Sequence, residues 1–382
     1  MEEFEQQAAP KRAKADELES NDELKALPVR FLEDHNKTAF DATIKFFDEG
    51  HVYLAWNAYL DAWVSTNDGG LSAPLVSTTV LTGQCFPSPD FAQMARMLFV
   101  APANKIRMAT DPGYRYYGCA CVEDIQAQWA KGAVLGTLMH ANFEDLSNLL
   151  EYDRHNPAAG PNTMQRLYAE KRLAGYTEKI YFADACAQMG ITGGGDRVIW
   201  RTEMLLFHDV LHLAGAIDGM LYNKKEDSYE IWDFKRSKGK LHRDPVPKRS
   251  VNKKGIVTYG RVKPAHELAA SGRGACYPAA KKMRNNSVNK YGLQLSIYRA
   301  FFARMFPEKR MGKAFLVCVD NMRIGQTGAL EIIEVDCTRF DKLIEEIFAA
   351  RANEILAAHQ KTLPRQLFKD LIKFLPPVGE VS

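Results

Sequence analysis

Leu211–Lys238 reads LHLAGAIDGMLYNKKEDSYEIWDFKRSK. Leu213–Tyr222 is apolar apart from Asp218, which gives a first strand with one acid on it. Asn223–Ser228 is a charged turn, and Tyr229–Phe234 returns as a second strand that runs into Asp233-Phe234-Lys235. Side chains alternate faces along a strand, so Asp233 and Lys235 point the same way. Pairing of the two strands around the turn sets Asp218 beside Asp233. Two carboxylates and an ammonium then converge on one patch of sheet, an arrangement suited to metal-assisted attack of water on phosphate.

The chain has 382 residues with 46% hydrophobic content, enough to bury a sizeable core in one elaborated domain or in two. Lys and Arg total 50 against 47 Asp and Glu, so any basic character lies in the distribution of charge rather than its sum. No run reaches the roughly 20 apolar residues of a membrane span, and no secretory leader is recognisable, so no membrane partner is expected. Seven scattered Cys without a Cys-x-x-Cys pair point to free thiols in a reducing, intracellular setting. Zinc ribbons and iron–sulfur clusters are not expected.

Residues 1–27 are charged and poor in large apolar side chains, as in a disordered tail. Ala8–Asp16 (AAPKRAKAD) is either a nuclear import signal around Lys11 or a solvated tail. Residues 28–122 form an N-terminal extension. It holds a strand or hairpin near His51-Val52-Tyr53, a helix start at STTVLTGQCFP (Ser77–Pro87) and an amphipathic helix over Phe91–Val100. Glu123–Trp129 and Val134–Tyr152 are predicted as two helices, Met164–Ala174 as another, Lys179–Phe182 as the start of a strand and Arg197–Phe207 as a strand. Asn289–Phe306 and Phe340–His359 are predicted helices, flanking strands at Ala314–Asp320 and Ala329–Val335. Residues 361–382 look like a peripheral tail. This order suits an α/β fold, a mixed central sheet flanked by helices, with the core over 123–360.

Carboxylates from neighbouring strands suit Mg²⁺ or Mn²⁺, and Lys235 could orient or deprotonate a water and steady transition-state charge. The plainer alternative is a structural Asp–Lys pair at a strand end. His140 and Glu144, at i and i+4, share a helix face and could offer imidazole and carboxylate to the same cation. Gln294 and Tyr298 share a second face of their helix, turned to the site or to the substrate backbone with Arg299 nearby as a further backbone contact, or else with Gln294 turned to water. Glu203 is either another acid of the metal shell or the partner of Arg201. His208 and His212 imitate a zinc pair but flank a turn and lack a third ligand. Residues 239–290 form a basic insertion that carries Lys248, Arg249, Lys253, Lys254, Arg261, Lys281, Lys282 and Arg284. It is either a solvated loop or a contact for phosphate backbone, with Tyr259 and Tyr277 available to stack on bases.

With these residues laid out, the chain resembles the PD-(D/E)XK nuclease superfamily, nearest its RecB-like and viral exonuclease branch. The resemblance is carried by GTLMHANFE (Gly136–Glu144), AGAID (Ala214–Asp218), IWDFKRSK (Ile231–Lys238) and QLSIYR (Gln294–Arg299), in the family's order. It implies a restriction-endonuclease-like core. Asp218, Asp233 and the Phe234 carbonyl would hold the metal, with His140 and Glu144 completing the shell. Lys235 would be the catalytic lysine, and Gln294 and Tyr298 the Q-x-x-x-Y motif. Ile217 stands where the family name has Pro, Asp233 where Glu is commoner, and the insertion before Gln294 is long. The expectation is a Mg²⁺- or Mn²⁺-dependent deoxyribonuclease acting on single- or double-stranded DNA in DNA processing, with an exonuclease favoured. It should prefer neutral to alkaline pH. A catalytically silent DNA-binding module, an endonuclease and a nuclease acting on RNA are the alternatives.

Overall fold

The strands of the computed structural model are, in chain order, β1 (Ile44–Phe47), β2 (Val52–Asn57), β3 (Ala62–Ser65), β4 (Val76–Ser77), β5 (Arg197–His208), β6 (Leu213–Asn223), β7 (Ser228–Ser237), β8 (Arg249–Val251), β9 (Val257–Tyr259), β10 (Met311–Asp320) and β11 (Leu330–Glu334). The helices are α1 (Phe31–His35), α2 (Thr78–Cys85), α3 (Phe91–Val100), α4 (Pro102–Thr110), α5 (Val122–His155), α6 (Thr163–Lys171), α7 (Glu178–Gln188), α8 (Pro278–Lys281), α9 (Ser287–Met305), α10 (Asp341–His359) and α11 (Arg365–Ile372). The structure describes residues 27–66, 74–86, 90–160, 163–173, 178–191, 195–237, 249–251, 257–259, 277–320, 330–359 and 362–376.

The molecule is α/β, with a mixed sheet between helices. The central sheet runs β11-β10-β7-β6-β4, and β5 pairs with β6. β6 and β7 form the antiparallel hairpin read from the sequence, with ladder pairs from Gly219↔Trp232 to Asn223↔Ser228. β5 lies antiparallel along one edge of β6, from Arg197↔Asn223 to His208↔Leu213. The opposite edge of β6 is shared: β4 pairs in parallel at Leu213 and Ala214, and β7 pairs from Gly219 onward. Between them, residues 215–218 have no strand partner on that edge among the described residues, and the ladder opens there.

β10 pairs with β7 in parallel, with Leu316 beside Asp233 and Val317 beside Phe234. Parallel neighbours need a crossover, and α9 supplies it. Both faces of the sheet are covered, which is why its strands are largely apolar away from the site. On one side Trp232, Phe234, Val317 and Val319 pack with Met139 and Phe143 of α5 and with Phe182 of α7. On the other side Ile231 and Leu316 pack with Leu293 and Phe301 of α9 and with Ile347 of α10. β1, β2 and β3 form a separate three-stranded antiparallel sheet that packs its inner face, including Tyr53 and Ala55, against Phe207 and Ala214.

Three predictions from the sequence are corrected. The two helices predicted over Glu123–Trp129 and Val134–Tyr152 are one helix of 34 residues, α5. Gly132 and Gly136 lower the propensity between them, but packing of α3 on its N-terminal half and the sheet beneath its C-terminal half hold it continuous. Lys179–Phe182 starts no strand and belongs to α7, a short apolar run whose period the sequence leaves ambiguous. The C-terminal segment is not all peripheral: α11 buries Leu367 and Leu371 completely against the core. Of the expected N-terminal tail, residues 1–26 lie outside the described residues, and Leu27 is buried. Cys85, Cys119, Cys121, Cys186, Cys318 and Cys337 are free thiols. Among the described residues no helix is long and apolar enough to cross a membrane.

Candidate active site

Asp218 sits where β6 and β7 part. Its carboxylate takes over the pairing that the ladder drops: the backbone N–H of Phe234 donates to Asp218 Oδ2 at 2.7 Å. That bond fixes the acid against β7 and leaves its other oxygen free of the strand. Lys235 Nζ stands 2.6 Å from Asp233 Oδ2 and 3.8 Å from Asp218 Oδ2. The two acids and the amine therefore meet as the hairpin pattern required. Asp233 is almost fully buried. A buried carboxylate without a cation nearby would be costly, so the amine is the structural counterpart of the acid.

α5 delivers the imidazole. His140 Nδ1 lies 3.3 Å from Asp218 Oδ2, and its ring meets Phe234 edge-on at 6.1 Å between centroids. β5 delivers a third acid. Thr202↔Gly219 and Met204↔Ile217 are ladder pairs, so Glu203 stands at the register position opposite Asp218. Glu203 has φ +44°, in the left-handed region that side chains other than glycine rarely occupy. His140, Glu203 and Asp218 each offer one ligand atom, and these atoms all lie within 4.8 Å of one another. Donor atoms gathered this closely could share one divalent cation.

The charges are strongly coupled. Burial opposes ionisation of Asp218, but His140 and Lys235 outweigh it and hold the carboxyl well below its usual range. Burial, reinforced by the Asp218 charge, pushes Asp233 up to about 7 even though Lys235 opposes the shift. Burial pulls on Lys235 too, yet Asp233 and Asp218 keep its proton bound more tightly than usual. His140 is raised because Asp218 overcomes the burial of the ring. Lys235 is thus the cation that faces both carboxylates in this arrangement.

α9 lines the site from the other side. Gln294 Nε2 donates to Tyr298 Oη at 2.8 Å, so both turn toward the core and not to water. Gly215 makes room for the ring: a Cβ there would meet Tyr298 Cε1 at 2.4 Å and Thr78 Oγ1 at 2.8 Å. Burial raises the Tyr298 hydroxyl well above its ordinary value, with Asp233 and Asp218 adding to the effect. Tyr53 of β2 is pushed up to about 12 by burial and then by Glu203 and Asp218.

Glu144 stands outside the His140–Glu203–Asp218 group and lies in electrostatic reach of Arg30. The alternative partner of Glu203 is taken, because Arg201 pairs with Asp41 at 2.9 Å. His208 Nδ1 accepts the Leu211 N–H at 3.3 Å, and its ring lies among Phe301, Phe348 and Phe374. Lys248, Lys253, Lys254 and Arg261 lie outside the described residues, and of Arg249 only the backbone, in β8, is described. Lys281 and Lys282 are exposed at the end of α8, Arg284 is half-buried just before α9, and Arg299 is half-buried next to Tyr298. Tyr53 and Tyr291 near the site were missed. Tyr291 was within reach of sequence reasoning, being three residues before Gln294 on the same helix face. Tyr53 was not, because only tertiary packing brings β2 to the acids.

Comparison with known proteins gives no match: no family model fits the chain, and no curated protein is similar to it.

Proposed function

We propose that this chain is a divalent-metal-dependent nuclease that hydrolyses phosphodiester bonds of DNA on a restriction-endonuclease-like PD-(D/E)XK core, with an exonuclease the favoured form. The observation that carries the reading is the meeting of Asp218, Asp233 and Lys235 within 3.8 Å at the point where the β6–β7 ladder opens. Supporting it, the four motifs of the resemblance stand in order on α5, β6, β7 and α9, with His140 and Tyr298 beside the acids and Gln294 bonded to Tyr298.

His140, Glu203 and Asp218 would hold the cation, with Asp233 beside them. Bound Mg²⁺ or Mn²⁺ supplies Lewis acidity toward a phosphate oxygen. The chain supplies the rest. His140 and Lys235 keep the Asp218 carboxylate ionised. The Lys235 ammonium is steered by Asp233 and can orient the attacking water and offset charge as it builds on phosphate. Tyr298, held by Gln294, closes the floor of the site against bulk water. Lys281, Lys282 and Arg284, near the start of α9, are cations suited to a phosphate backbone.

The test uses labelled DNA with Mg²⁺. Asp233→Ala and Lys235→Ala should lose cleavage by about 10²–10⁴-fold while DNA binding survives. Normal cutting by either variant would show the site to be misassigned. Binding without metal-dependent cutting in the unaltered protein would leave a silent binding module. Linear, circular, single-stranded and RNA substrates then separate exonuclease from endonuclease and identify the sugar.

A further inference from the structure

We propose that Tyr291 is a positioning residue for the reaction, holding the Lys235 ammonium against the face of its ring. This rests on the nuclease reading above. Lys235 Nζ lies 4.9 Å from the centroid of the Tyr291 ring, opposite in kind to its other neighbours, the carboxylates of Asp233 and Asp218. A lysine has four rotatable bonds and a compact charge, so carboxylates on one side alone leave the amine free to swing among their oxygens. A ring face attracts the cation without accepting a hydrogen bond in the ordinary sense. It therefore limits where the nitrogen can stand and leaves its remaining N–H directions open for water or phosphate.

The ring is itself well fixed. Tyr291 packs against the apolar layer between the sheet and α10. Its neighbour Gly292 seats α9 closely there, since a Cβ would come 2.8 Å from Phe340 Cζ. Gln294 and Tyr298 follow on the same side of the helix. The aromatic face is what the site uses, and phenylalanine should serve as well.

Tyr291→Phe and Tyr291→Leu are compared with the unaltered protein on labelled DNA with Mg²⁺. Tyr291→Leu should lose about tenfold in kcat, the size of a desolvated cation–π contact. Its KM should stay within roughly twofold, and Tyr291→Phe should keep both constants within roughly twofold. Equal losses in the two variants, or a loss confined to KM, would overturn the proposal. A second readout needs no activity. In protein carrying ¹³Cε-labelled lysine, the Lys235 methylene protons should be shifted upfield by the ring, with the signal assigned by its absence in Lys235→Arg. The shift should persist in Tyr291→Phe and vanish in Tyr291→Leu. A Lys235 signal that is the same in all three proteins overturns the contact. If the unaltered protein cuts no DNA, the nuclease reading fails, and the spectra alone decide whether the ring holds the amine.

Discussion

Glu203 faces Asp218 across the β5–β6 ladder and adopts a left-handed backbone, φ +44°, at that position. Such a conformation costs a side-chain-bearing residue on the order of 1 kcal/mol or more. Strain at an acid of the candidate metal group is the expected pattern if its placement serves binding. Glu203→Gly removes both the strain and the ligand. Unfolding in urea should show a variant at least as stable as the parent. Titration calorimetry with Mn²⁺ should show affinity down by about tenfold or more. Unchanged Mn²⁺ affinity would remove Glu203 from the site.

Metal binding should depend on pH through Asp233. Its carboxyl, pushed up to about 7 by burial and by Asp218, is neutral below that pH and ionised above it. A neutral carboxyl does not draw a cation, so Mg²⁺ affinity should climb by roughly tenfold per pH unit toward 7 and level off beyond. The apparent midpoint belongs to the Asp218–Asp233 pair as a whole. Calorimetry between pH 5.5 and 8 measures it, and a flat profile would contradict the assignment.

Acid should destabilise the fold through His208. Burial among three phenylalanines lowers its imidazole to about 4. The unfolded chain takes up a proton below about 6.5, whereas the folded chain resists until about 4. Stability is therefore full above 6.5 and falls with pH, by about 3 kcal/mol in all at pH 4. Urea midpoints across this range should drop less steeply in His208→Gln than in the parent. Parallel slopes would place the acid sensitivity elsewhere.

Two glycines should respond oppositely to alanine. A Cβ at Gly219 would lie 1.8 Å from Trp232 Nε1, and that indole is fully buried. Gly219→Ala should cost about 2–3 kcal/mol or more, since backbone or ring must move. At Gly136, inside α5, the nearest atom to a Cβ is Arg236 Cβ at 4.0 Å. Gly136→Ala should gain about 0.5–1 kcal/mol by helix propensity. Urea unfolding of both variants checks the pair of signs.

The hairpin was legible because each of its strands is apolar, the turn between them is charged, and the two acids stand where pairing brings them together. Helices α3 and α9 were legible for the same reason, as local periodicity. The single α5 was not, because its middle is held by contacts from residues far away in the chain. The metal group shows the same limit. His140 and Glu144 share a helix face in any isolated helix, so the sequence argued for both. What sets Glu203 opposite Asp218 is the β5–β6 register, which local spacing does not encode. The left-handed φ of Glu203 carries no sequence signal either, because the residue is not glycine.

The β7–β10 pairing has a consequence for how the protein is made. Leu316, the ladder neighbour of Asp233, leaves the ribosome long after it, with all of α9 between them. Parallel pairing across such a span is among the slower steps of folding. A nascent chain that has emerged only as far as β7 holds a hairpin with a bare edge, its acids hydrated and unconfined. The surroundings of the acids therefore wait on α9 and β10, and a chain that ends before them does not possess them.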